Sequence, residues 1–439
     1  MIKDFFIKQL NANEISERIL AVGKLKGFLD AGLIEAPKKE GYTNNHVHTK
    51  YSFSPYSPAK AVWMAYMSGL DTVGIMDHDA ICGAEEFIEA GKILGIATTI
   101  GFEIRTDWSD TLLNGRRINN PDQITNAYIS AHGLPQNSIA ESDRFLSAVR
   151  IERSKRNIKM VNKLNLLLGG SAIHIDYDTD VLAESFYSCG GEVTERHILF
   201  SLSKKLAENF SKGKELIGML KDIFGLNLNV RQMEYLSDVQ NPFYEYDLLN
   251  VLKSSLIKNI YTDVNKSEAL AVREAVDFIK SVGAIPSYCY LGDVSDSPTG
   301  DKKAQKFEDD YLEDVFIECK RIGFQAIAYM PSRNTREQLK RVIELCEKYG
   351  FLQISGEDIN QPRQSFVCKQ LKEPDFAHLV DTTWALVGHE IGVTQDRSKG
   401  MFSDTIELNM QQIKQRIQKF KRIGIQNWKD FNCRNAFDK

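Results

Sequence analysis

The residues best suited to chemistry are two histidines in the stretch Asn45-His46-Val47-His48-Thr49. Side chains at positions i and i+2 point to the same face of an extended strand, so the two imidazoles would lie side by side. Neutral imidazoles are good ligands for transition metals such as Zn, Mn or Fe. The pair therefore predicts a metal site on a strand.

Further ligand-type side chains follow apolar runs. The run 72–76 leads into Asp77-His78-Asp79, the next run ends at Glu103, and Asp293 and Asp358 follow later runs. In a barrel of parallel strands, the carboxyl ends of the strands meet at one mouth, where barrel enzymes have their active sites. Carboxylates mixed with imidazoles favour Mn, Fe or Zn over Ca or Mg. Two such ions can stabilise both the attacking and the leaving oxygen of a phosphoryl transfer.

The apolar pattern around these residues predicts strands that alternate with helices. Strands are expected near 43–48, 71–76, 97–103, 283–290, 325–329 and 351–355. A first helix is expected to start at Ser57-Pro58, and further helices are expected near 84–94, 309–321 and 335–349. Pro58 at the start of the first of these helices is well placed, because proline is tolerated at the first helical position. Strands separated by helices indicate parallel pairing with right-handed crossovers.

The alternation stops between the two groups of strands. We predict an N-terminal helical segment at 1–40, a barrel in two parts at 41–104 and 271–390, a mostly helical insertion at 105–270, and a C-terminal helical tail at 391–439. The insertion contains a strongly basic helix at 141–168. This pattern is typical of a solvated helix face, and a surface for a substrate phosphate or nucleic acid is the alternative.

The composition limits the class of protein. The chain has 439 residues, 43% of them hydrophobic, which suffices for one large domain with insertions or for two domains. Its formal net charge of −4 gives no general attraction to nucleic acid or to anionic membranes. Seven cysteines without a CxxC pair argue against a disulfide framework and favour a cytoplasmic location. The sequence predicts no signal peptide and no membrane span.

Several motifs resemble those of the PHP family (polymerase and histidinol phosphatase). Its opening motifs are resembled by three segments: His46-Val47-His48-Thr49, Gly74-Ile75-Met76-Asp77-His78-Asp79 and Gly101-Phe102-Glu103. The Arg-x-His motif of members with a helical insertion is resembled by Glu195-Arg196-His197-Ile198. Ser355-Gly356-Glu357-Asp358-Ile359-Asn360 resembles its end motif. The resemblance implies an α/β fold, a distorted (β/α)7 TIM-like barrel with a mostly helical insertion. It also implies metal-dependent hydrolysis of phosphate esters.

The resemblance further implies a set of metal ligands. They are His46, His48, His78, Glu103, His197, Asp358 and Asn360, with Tyr128 and His132 as additional candidates. The chain departs from the family pattern at two places: Phe53 stands where three-metal members have Asp, and Asn360 where the end motif finishes in His. We therefore expect two divalent ions, Mn, Zn or Fe, and a third that is weak or absent.

Other polar residues near the motifs have predicted supporting roles. Asp77 is expected to orient a ligand histidine, as carboxylates beside metal sites commonly do. Asp293 is either an acid for the leaving group or a loop cap. Arg196, Arg333 and Arg363 are candidates for binding the substrate phosphate, since guanidinium groups match phosphate geometry. Each of the three could instead form a surface ion pair.

The sequence thus predicts a metal-dependent phosphoesterase in which a metal-bound hydroxide attacks a small phosphorylated metabolite or nucleotide. One alternative is a 3′-5′ exonuclease or RNase that acts on short oligonucleotides, so nucleic acid is retained as a less favoured partner. The other alternative is a catalytically reduced PHP module that binds a ligand. We expect no membrane partner, and the sequence does not predict the oligomeric state.

Overall fold

The computed structural model describes residues 2–120, 123–169, 173–293 and 306–437. Its eight strands form one sheet: β1 (Tyr42–Val47), β2 (Leu70–His78), β3 (Ala97–Asp107), β4 (Asn126–His132), β5 (Leu270–Ala271), β6 (Ile285–Cys289), β7 (Ala326–Tyr329) and β8 (Leu352–Ser355). The strand order is β1-β2-β3-β4-β6-β7-β8, with the short β5 paired to β3. The six strands predicted from the sequence all form, within a few residues of the expected bounds.

The two ends of this strand order meet. Val47 pairs in parallel with Ile359, just after β8; His48 N donates to Ile359 O at 3.0 Å, and Ile359 N donates to His46 O at 3.1 Å. All neighbouring strands run parallel except β4, which is antiparallel to both β3 and β6. The sheet is therefore a nearly closed, distorted barrel with seven strands in the ring, and the predicted α/β barrel fold is confirmed.

Strand β4 lies inside the range that the sequence analysis assigned to a helical insertion. It fills the gap between β3 and β6, with Ser130 opposite Glu103 and His132 opposite Gly101. Buried Ala127, Ile129 and Ala131 alternate with polar neighbours, which is a strand pattern, but the segment is short and follows a polar stretch. The barrel thus continues beyond residue 105, while the proposed division into domains stays a prediction.

The helices lie outside the sheet and in the insertion. In chain order they are α1 (Ile2–Gln9), α2 (Ile15–Asp30), α3 (Pro58–Met67), α4 (Ala84–Leu94), α5 (Ile139–Leu168), α6 (Glu195–Asn209), α7 (Lys214–Phe224), α8 (Val230–Ser237), α9 (Tyr244–Ile260), α10 (Val272–Ser281), α11 (Leu312–Ile322), α12 (Arg336–Tyr349), α13 (Ala377–Gln395), α14 (Asp404–Asn409) and α15 (Ile413–Phe437). Ser57 caps α3 by accepting a hydrogen bond from Lys60 N at 3.1 Å. No helix of the described residues is long and apolar enough to cross a membrane.

The insertion helices have a hydrophobic core of their own. Buried side chains of α5, α6, α7 and α9, among them Leu164, Leu202, Leu220 and Leu252, form one cluster that is separate from the barrel core. Phe53, from the loop after β1, packs into this cluster. The loop that follows the two strand histidines is thereby attached to the insertion.

Candidate metal centre

The carboxyl ends of β1 and β2, with the neighbouring part of β3, bring three histidines around one carboxylate. His46 Nε2 lies 3.2 Å from Glu103 Oε1, and His78 Nδ1 lies 3.2 Å from Glu103 Oε2. His48 Nε2 lies 3.9 Å from the same Oε2. Parallel pairing places His78 directly beside Glu103 in the sheet. Ligand atoms of His46, His48 and Glu103 all lie within 4.8 Å of one another, close enough to share one ion.

Asp358 joins this group from the loop after β8. Its Oδ1 lies 3.2 Å from His48 Nε2 and accepts a hydrogen bond from Asn360 Nδ2 at 2.7 Å. The amide oxygen of Asn360 is buried and makes no hydrogen bond. Asn360 therefore holds Asp358 with its amide nitrogen and presents an oxygen, the one atom of an amide that can ligate a cation.

These donors fit a divalent metal. His78 Nδ1 is buried and makes no hydrogen bond, although a carboxylate oxygen lies 3.2 Å away. A buried polar atom without a partner is costly, and an ion between the imidazole and the carboxylate would satisfy both. Imidazole and carboxylate together suit divalent transition metals.

The electrostatics of the cluster set the protonation states. Burial lowers the pKa of His78 to about 3, so this imidazole is neutral near pH 7. Burial raises the pKa of Glu103. The neighbouring His46, and after it His78 and His48, lower this pKa by more, so that its value is about 2. Burial also lowers the pKa of His46, yet the Glu103 charge raises it to about 9. Metal binding requires deprotonated ligands, so an ion would displace the proton from His46.

Asp77 supports the cluster through a hydroxyl group. It accepts hydrogen bonds from Thr49 N at 2.7 Å, Thr49 Oγ1 at 2.6 Å and Ser52 Oγ at 2.6 Å. Ser52 Oγ in turn lies 3.2 Å from His48 Nδ1. Ser52 thus links Asp77 to His48. The role of Asp77 in orienting a ligand histidine stays a prediction.

Asp79, directly after His78, connects this site to the insertion. Its backbone has a φ of 48°, in the left-handed region that Asp tolerates better than most residues. Asp79 N donates to Glu103 O at 2.8 Å, and Arg150 Nη1 donates to Asp79 O at 3.0 Å. Arg153 Nη1 donates to the Asp79 carboxylate. Two arginines of α5 therefore fix the backbone next to His78.

The prediction that the basic face of α5 is solvated is wrong for its buried arginines. Arg153 and Arg156 are only 1% and 3% exposed. Arg156 Nη2 lies 2.7 Å from Glu195 Oε1, and Arg156 Nε lies 2.7 Å from Glu268 Oε2. Buried charges are retained in proteins where they are paired, and here the partners come from distant parts of the chain. The sequence of α5 alone carries no signal for these partners.

His197 lies outside the cluster of histidines. It is in the first turn of α6, where its Nδ1 accepts a hydrogen bond from Thr194 N at 2.9 Å. Its ring packs edge-on against Phe53, with ring centroids 5.0 Å apart. A neutral imidazole that accepts at one nitrogen carries its proton on the other. In this arrangement His197 caps a helix and offers no lone pair to a metal.

Tyr128 and His132 lie on β4 and line the same cavity as the cluster. His132 Nε2 lies 3.1 Å from Ser130 Oγ, and burial lowers the pKa of His132 to about 3. The Tyr128 hydroxyl accepts a hydrogen bond from Arg105. Neither side chain belongs to the group formed by His46, His48 and Glu103 in the described part of the chain.

Asp293 occupies the position of a loop cap. Its carboxylate accepts a hydrogen bond from Phe307 N at 2.6 Å, and its own N–H donates to Asp309 Oδ2 at 3.0 Å. It is not among the described residues that line the metal cavity. Of the two predicted roles, the geometry favours the cap.

The cavity beside the cluster encloses about 180 Å³. Arg153, Arg196 and Lys253 contribute cationic side chains to its wall. Arg333 and Arg363, the other two predicted phosphate ligands, line an adjoining groove instead. Arg153 belongs to the basic helix for which a surface for a substrate phosphate was the alternative prediction. Sequence reasoning missed Lys253, because the orientation of its insertion helix depends on tertiary packing.

Comparison with known proteins agrees with this geometry. Residues 44–230 match the PHP domain family. The chain carries a PHP domain. The match confirms the family predicted from the motifs, over residues 44–230. The His-His-Glu cluster at the barrel mouth is the candidate site of divalent metal binding in this PHP domain.

Curated relatives share only a short segment with the PHP domain. A 5'-3' exoribonuclease of Haemophilus influenzae is 38% identical over 63 residues, which is 14% of this chain and 23% of that protein. An error-prone DNA polymerase of Nocardia farcinica is 38% identical over 65 residues, 14% of this chain and 6% of the polymerase. The chain therefore matches less than a quarter of the length of either relative.

The fold extends further than these sequence matches. The crystal structure of a proposed metal-dependent phosphoesterase from Bifidobacterium adolescentis superposes with a TM-score of 0.51 at 18% identity. The superposition covers 79% of this chain and 96% of that one. The two proteins share the fold across most of their lengths, including regions outside the family match.

Proposed function

We propose that this PHP domain hydrolyses a phosphate monoester of a small metabolite or nucleotide, using two divalent ions of Mn, Zn or Fe. The observation that carries the proposal is the group of His46, His48 and Glu103, whose ligand atoms lie within 4.8 Å of one another at the barrel mouth. His78 and Asp358 extend this group on either side. Such a donor set is typical of metal-dependent phosphoester hydrolysis.

Five side chains would hold the two ions. One ion would be bound by His46, His48, Asp358 and Glu103. The second ion would be bound by Glu103 and His78. When bound, such ions lower the pKa of water towards about 7 and stabilise the charge that develops on phosphoryl oxygens. A third ion would be weak or absent, because Phe53 stands in place of the family carboxylate and His197 Nδ1 is already hydrogen-bonded. The buried amide oxygen of Asn360 is a further donor.

The cationic wall of the cavity would bind the phosphoryl group. Arg153 and Arg196 present guanidinium groups, which match phosphate oxygens, and Lys253 adds a third positive charge. Arg153 is held rigidly by Asp79, so it would orient the phosphate with little loss of side-chain entropy. In a buried cavity each of these charges acts more strongly than it would in water.

A generic aryl phosphate tests this proposal. Chelator-stripped protein should not hydrolyse it, and turnover should return when Mn, Zn, Fe or Mg is added back separately. The Glu103→Gln variant should stay inactive with every metal, while Glu89→Gln, which removes an exposed glutamate of α4, should behave as the parent. Turnover that survives in Glu103→Gln would contradict the proposal.

Hydrolysis of short oligonucleotides is the second candidate function. It is favoured by the 38% identity over 63 residues with a protein described as a 5'-3' exoribonuclease, whereas the sequence analysis named a 3'-5' activity. Oligonucleotides of increasing length, labelled at either end, distinguish the two directions. A nuclease would prefer the longer substrates and lose affinity steeply with added salt. A PHP module that only binds a ligand would bind metal and turn over none of these substrates.

A further inference from the structure

One cysteine, Cys289, lines the metal cavity among those whose side chains the structure describes. It is the last residue of β6, and its side chain is half-buried. The preceding Tyr288 belongs to the hydrophobic core, where it packs against Trp108 with ring centroids 5.8 Å apart. Because successive side chains of a strand point to opposite faces, Cys289 is directed towards the metal ligands.

Two polar side chains fix the surroundings of Cys289. Asn119 Nδ2 donates to Cys289 O and to Tyr128 O, each at 2.7 Å, and so joins the end of β6 to β4. Ser130, also on β4, lies beside the thiol, with its Oγ 3.2 Å from Cys289 Sγ. A donor that is already held in place can bind an ion with little loss of entropy.

The carboxylate of Glu103 has different neighbours at its two oxygens. Its Oε1 lies 3.2 Å from His46 Nε2 and 3.7 Å from Cys289 Sγ. Its Oε2 lies 3.2 Å from His78 Nδ1 and 3.9 Å from His48 Nε2. The sulfur of Cys289 therefore lies next to the same carboxylate oxygen as the imidazole of His46.

These separations suit ligands of one zinc ion. Zn binds oxygen and nitrogen at about 2.0–2.2 Å and sulfur at about 2.3 Å, so a tetrahedral site separates oxygen from nitrogen by about 3.3 Å and oxygen from sulfur by about 3.6 Å. Glu103 Oε1 lies 3.2 Å from His46 Nε2 and 3.7 Å from Cys289 Sγ. A thiol that donates a hydrogen bond to a carboxylate has a similar separation, so the test must detect the metal–sulfur bond itself.

We propose that Cys289 is a thiolate ligand of the ion bound at Glu103 Oε1, and that it makes this site selective for Zn over Mn. The inference rests on the proposed function, because it adds a donor to the ions that Glu103 would hold. Thiolate is a soft ligand that suits Zn, whereas Mn prefers carboxylate, carbonyl and water oxygens. As the ion binds, the S–H bond breaks, a metal–sulfur bond forms and the proton passes to the solvent.

X-ray absorption at the Zn edge tests for this bond in the Zn-loaded protein. We expect a sulfur neighbour at about 2.3 Å, in addition to nitrogen and oxygen neighbours at about 2.0–2.2 Å. Cys289→Ser keeps the shape of the side chain and replaces its sulfur by oxygen, so the sulfur neighbour should be lost. Cys189→Ser, which removes an exposed cysteine outside the metal cavity, should keep it.

Two further measurements use the same variants. The Co-loaded parent and Cys189→Ser should show a thiolate-to-cobalt charge-transfer band in the near ultraviolet, and Cys289→Ser should lack it. Competition with a chelator measures the affinities for Zn and Mn. The ratio of Zn affinity to Mn affinity should fall about tenfold in Cys289→Ser, through weaker Zn binding, and stay unchanged in Cys189→Ser. Comparing variants of one chain separates the effect of the thiolate from the general preference of protein sites for Zn over Mn.

The outcomes separate this inference from the proposed function. If Glu103→Gln loses Zn but the parent shows only nitrogen and oxygen neighbours, the proposal for Cys289 is wrong while the metal centre remains. A sulfur neighbour that persists in Cys289→Ser would assign the bond to another sulfur, such as that of Met330 in the cavity wall, and would also overturn the proposal. If the bond to Cys289 is found but no phosphate ester is hydrolysed, Cys289 is a ligand and the proposed function is wrong.

Discussion

His48 Nε2 lies 3.2 Å from Asp358 Oδ1, so the first strand of the barrel touches the loop that follows the last strand. The backbone closes the barrel at the same place, through the hydrogen bonds of Ile359 with His46 and His48. Metal ligands and barrel closure thus depend on the same few residues. An ion bound there would link the two ends of the sheet.

Metal binding should therefore stabilise the fold. Adding Mn or Zn to chelator-stripped protein is expected to raise its Tm, since a ligand present at 100 times its Kd stabilises by about 2.7 kcal/mol. Asp358→Asn should show a much smaller rise, and Asp222→Asn, an exposed change on α7, should show the full rise. Thermal unfolding at several metal concentrations measures this. Equal rises in Tm on metal addition for Asp358→Asn and the parent would contradict the assignment of Asp358 as a metal ligand.

Asp77→Asn should weaken metal binding without removing any ligand. The amide cannot accept all the hydrogen bonds that Thr49 and Ser52 donate to the carboxylate, so His48 would lose its orientation. Loss of such a supporting residue typically lowers metal affinity by about 10–100-fold. Competition with a chelator measures the affinity, with Asp71→Asn on the same strand as the control. An unchanged affinity would show that Ser52 orients His48 alone.

Arg153→Met should destabilise the protein strongly. It leaves Asp79, which Arg153 contacts, as a buried charge without its partner, and breaking a buried ion pair costs about 3–5 kcal/mol. Arg116→Met breaks an ion pair with Asp314 that is exposed on both sides, which should cost at most about 1 kcal/mol. Urea unfolding of the two variants compares these costs. Similar losses of unfolding free energy in the two variants would mean that the ion pair of Arg153 with Asp79 is solvated.

The parts of the site that the sequence predicted are those that depend on local spacing. His46 lies in β1 and His48 directly after it, and Glu103 lies in β3 beside the end of β2, so their convergence follows from parallel pairing. The contacts of Arg153 were not predictable in this way. Its partners Asp79 and Glu195 come from a β2 loop and from α6, and only the packing of α5 against the barrel brings them together.

His197 shows a different limit of sequence reasoning. The motif around it resembles a metal-binding pattern, and that resemblance placed it among the ligands. In the structure its Nδ1 accepts a hydrogen bond from Thr194 N, and Phe53 covers its ring. The change at Phe53 is visible in the sequence, but its consequence for His197 depends on a contact between the barrel and the insertion. The residue at one position of the family pattern therefore packs against the residue at another.

Acid should destabilise the protein in part through His389. Its Nε2 donates to Gly283 O and its Nδ1 accepts from Met401 N, each at 3.0 Å, and burial lowers its pKa to about 4. An unfolded histidine has a pKa of about 6.5, so between these values the unfolded state binds more protons and stability falls as the pH falls. The slope contributed by this residue is up to about 1.4 kcal/mol per pH unit.

Unfolding free energies measured from pH 7 to pH 4 test this contribution. His389→Gln should show a shallower dependence on pH than the parent, whatever its overall stability. His174→Gln, which removes an exposed histidine, should keep the slope of the parent. A slope in His389→Gln that equals that of the parent would mean that His389 is protonated equally in the folded and unfolded states.

The most direct test of the metal centre is a titration in which bound metal and activity are measured in the same samples. Mn is added stepwise to chelator-stripped protein, bound Mn is determined by equilibrium dialysis, and hydrolysis of an aryl phosphate is followed at each step. We predict that activity rises with occupancy up to two ions per chain and that Glu103→Gln neither holds these ions nor turns over substrate. Full activity in the stripped protein, or unchanged metal binding in Glu103→Gln, would contradict the account.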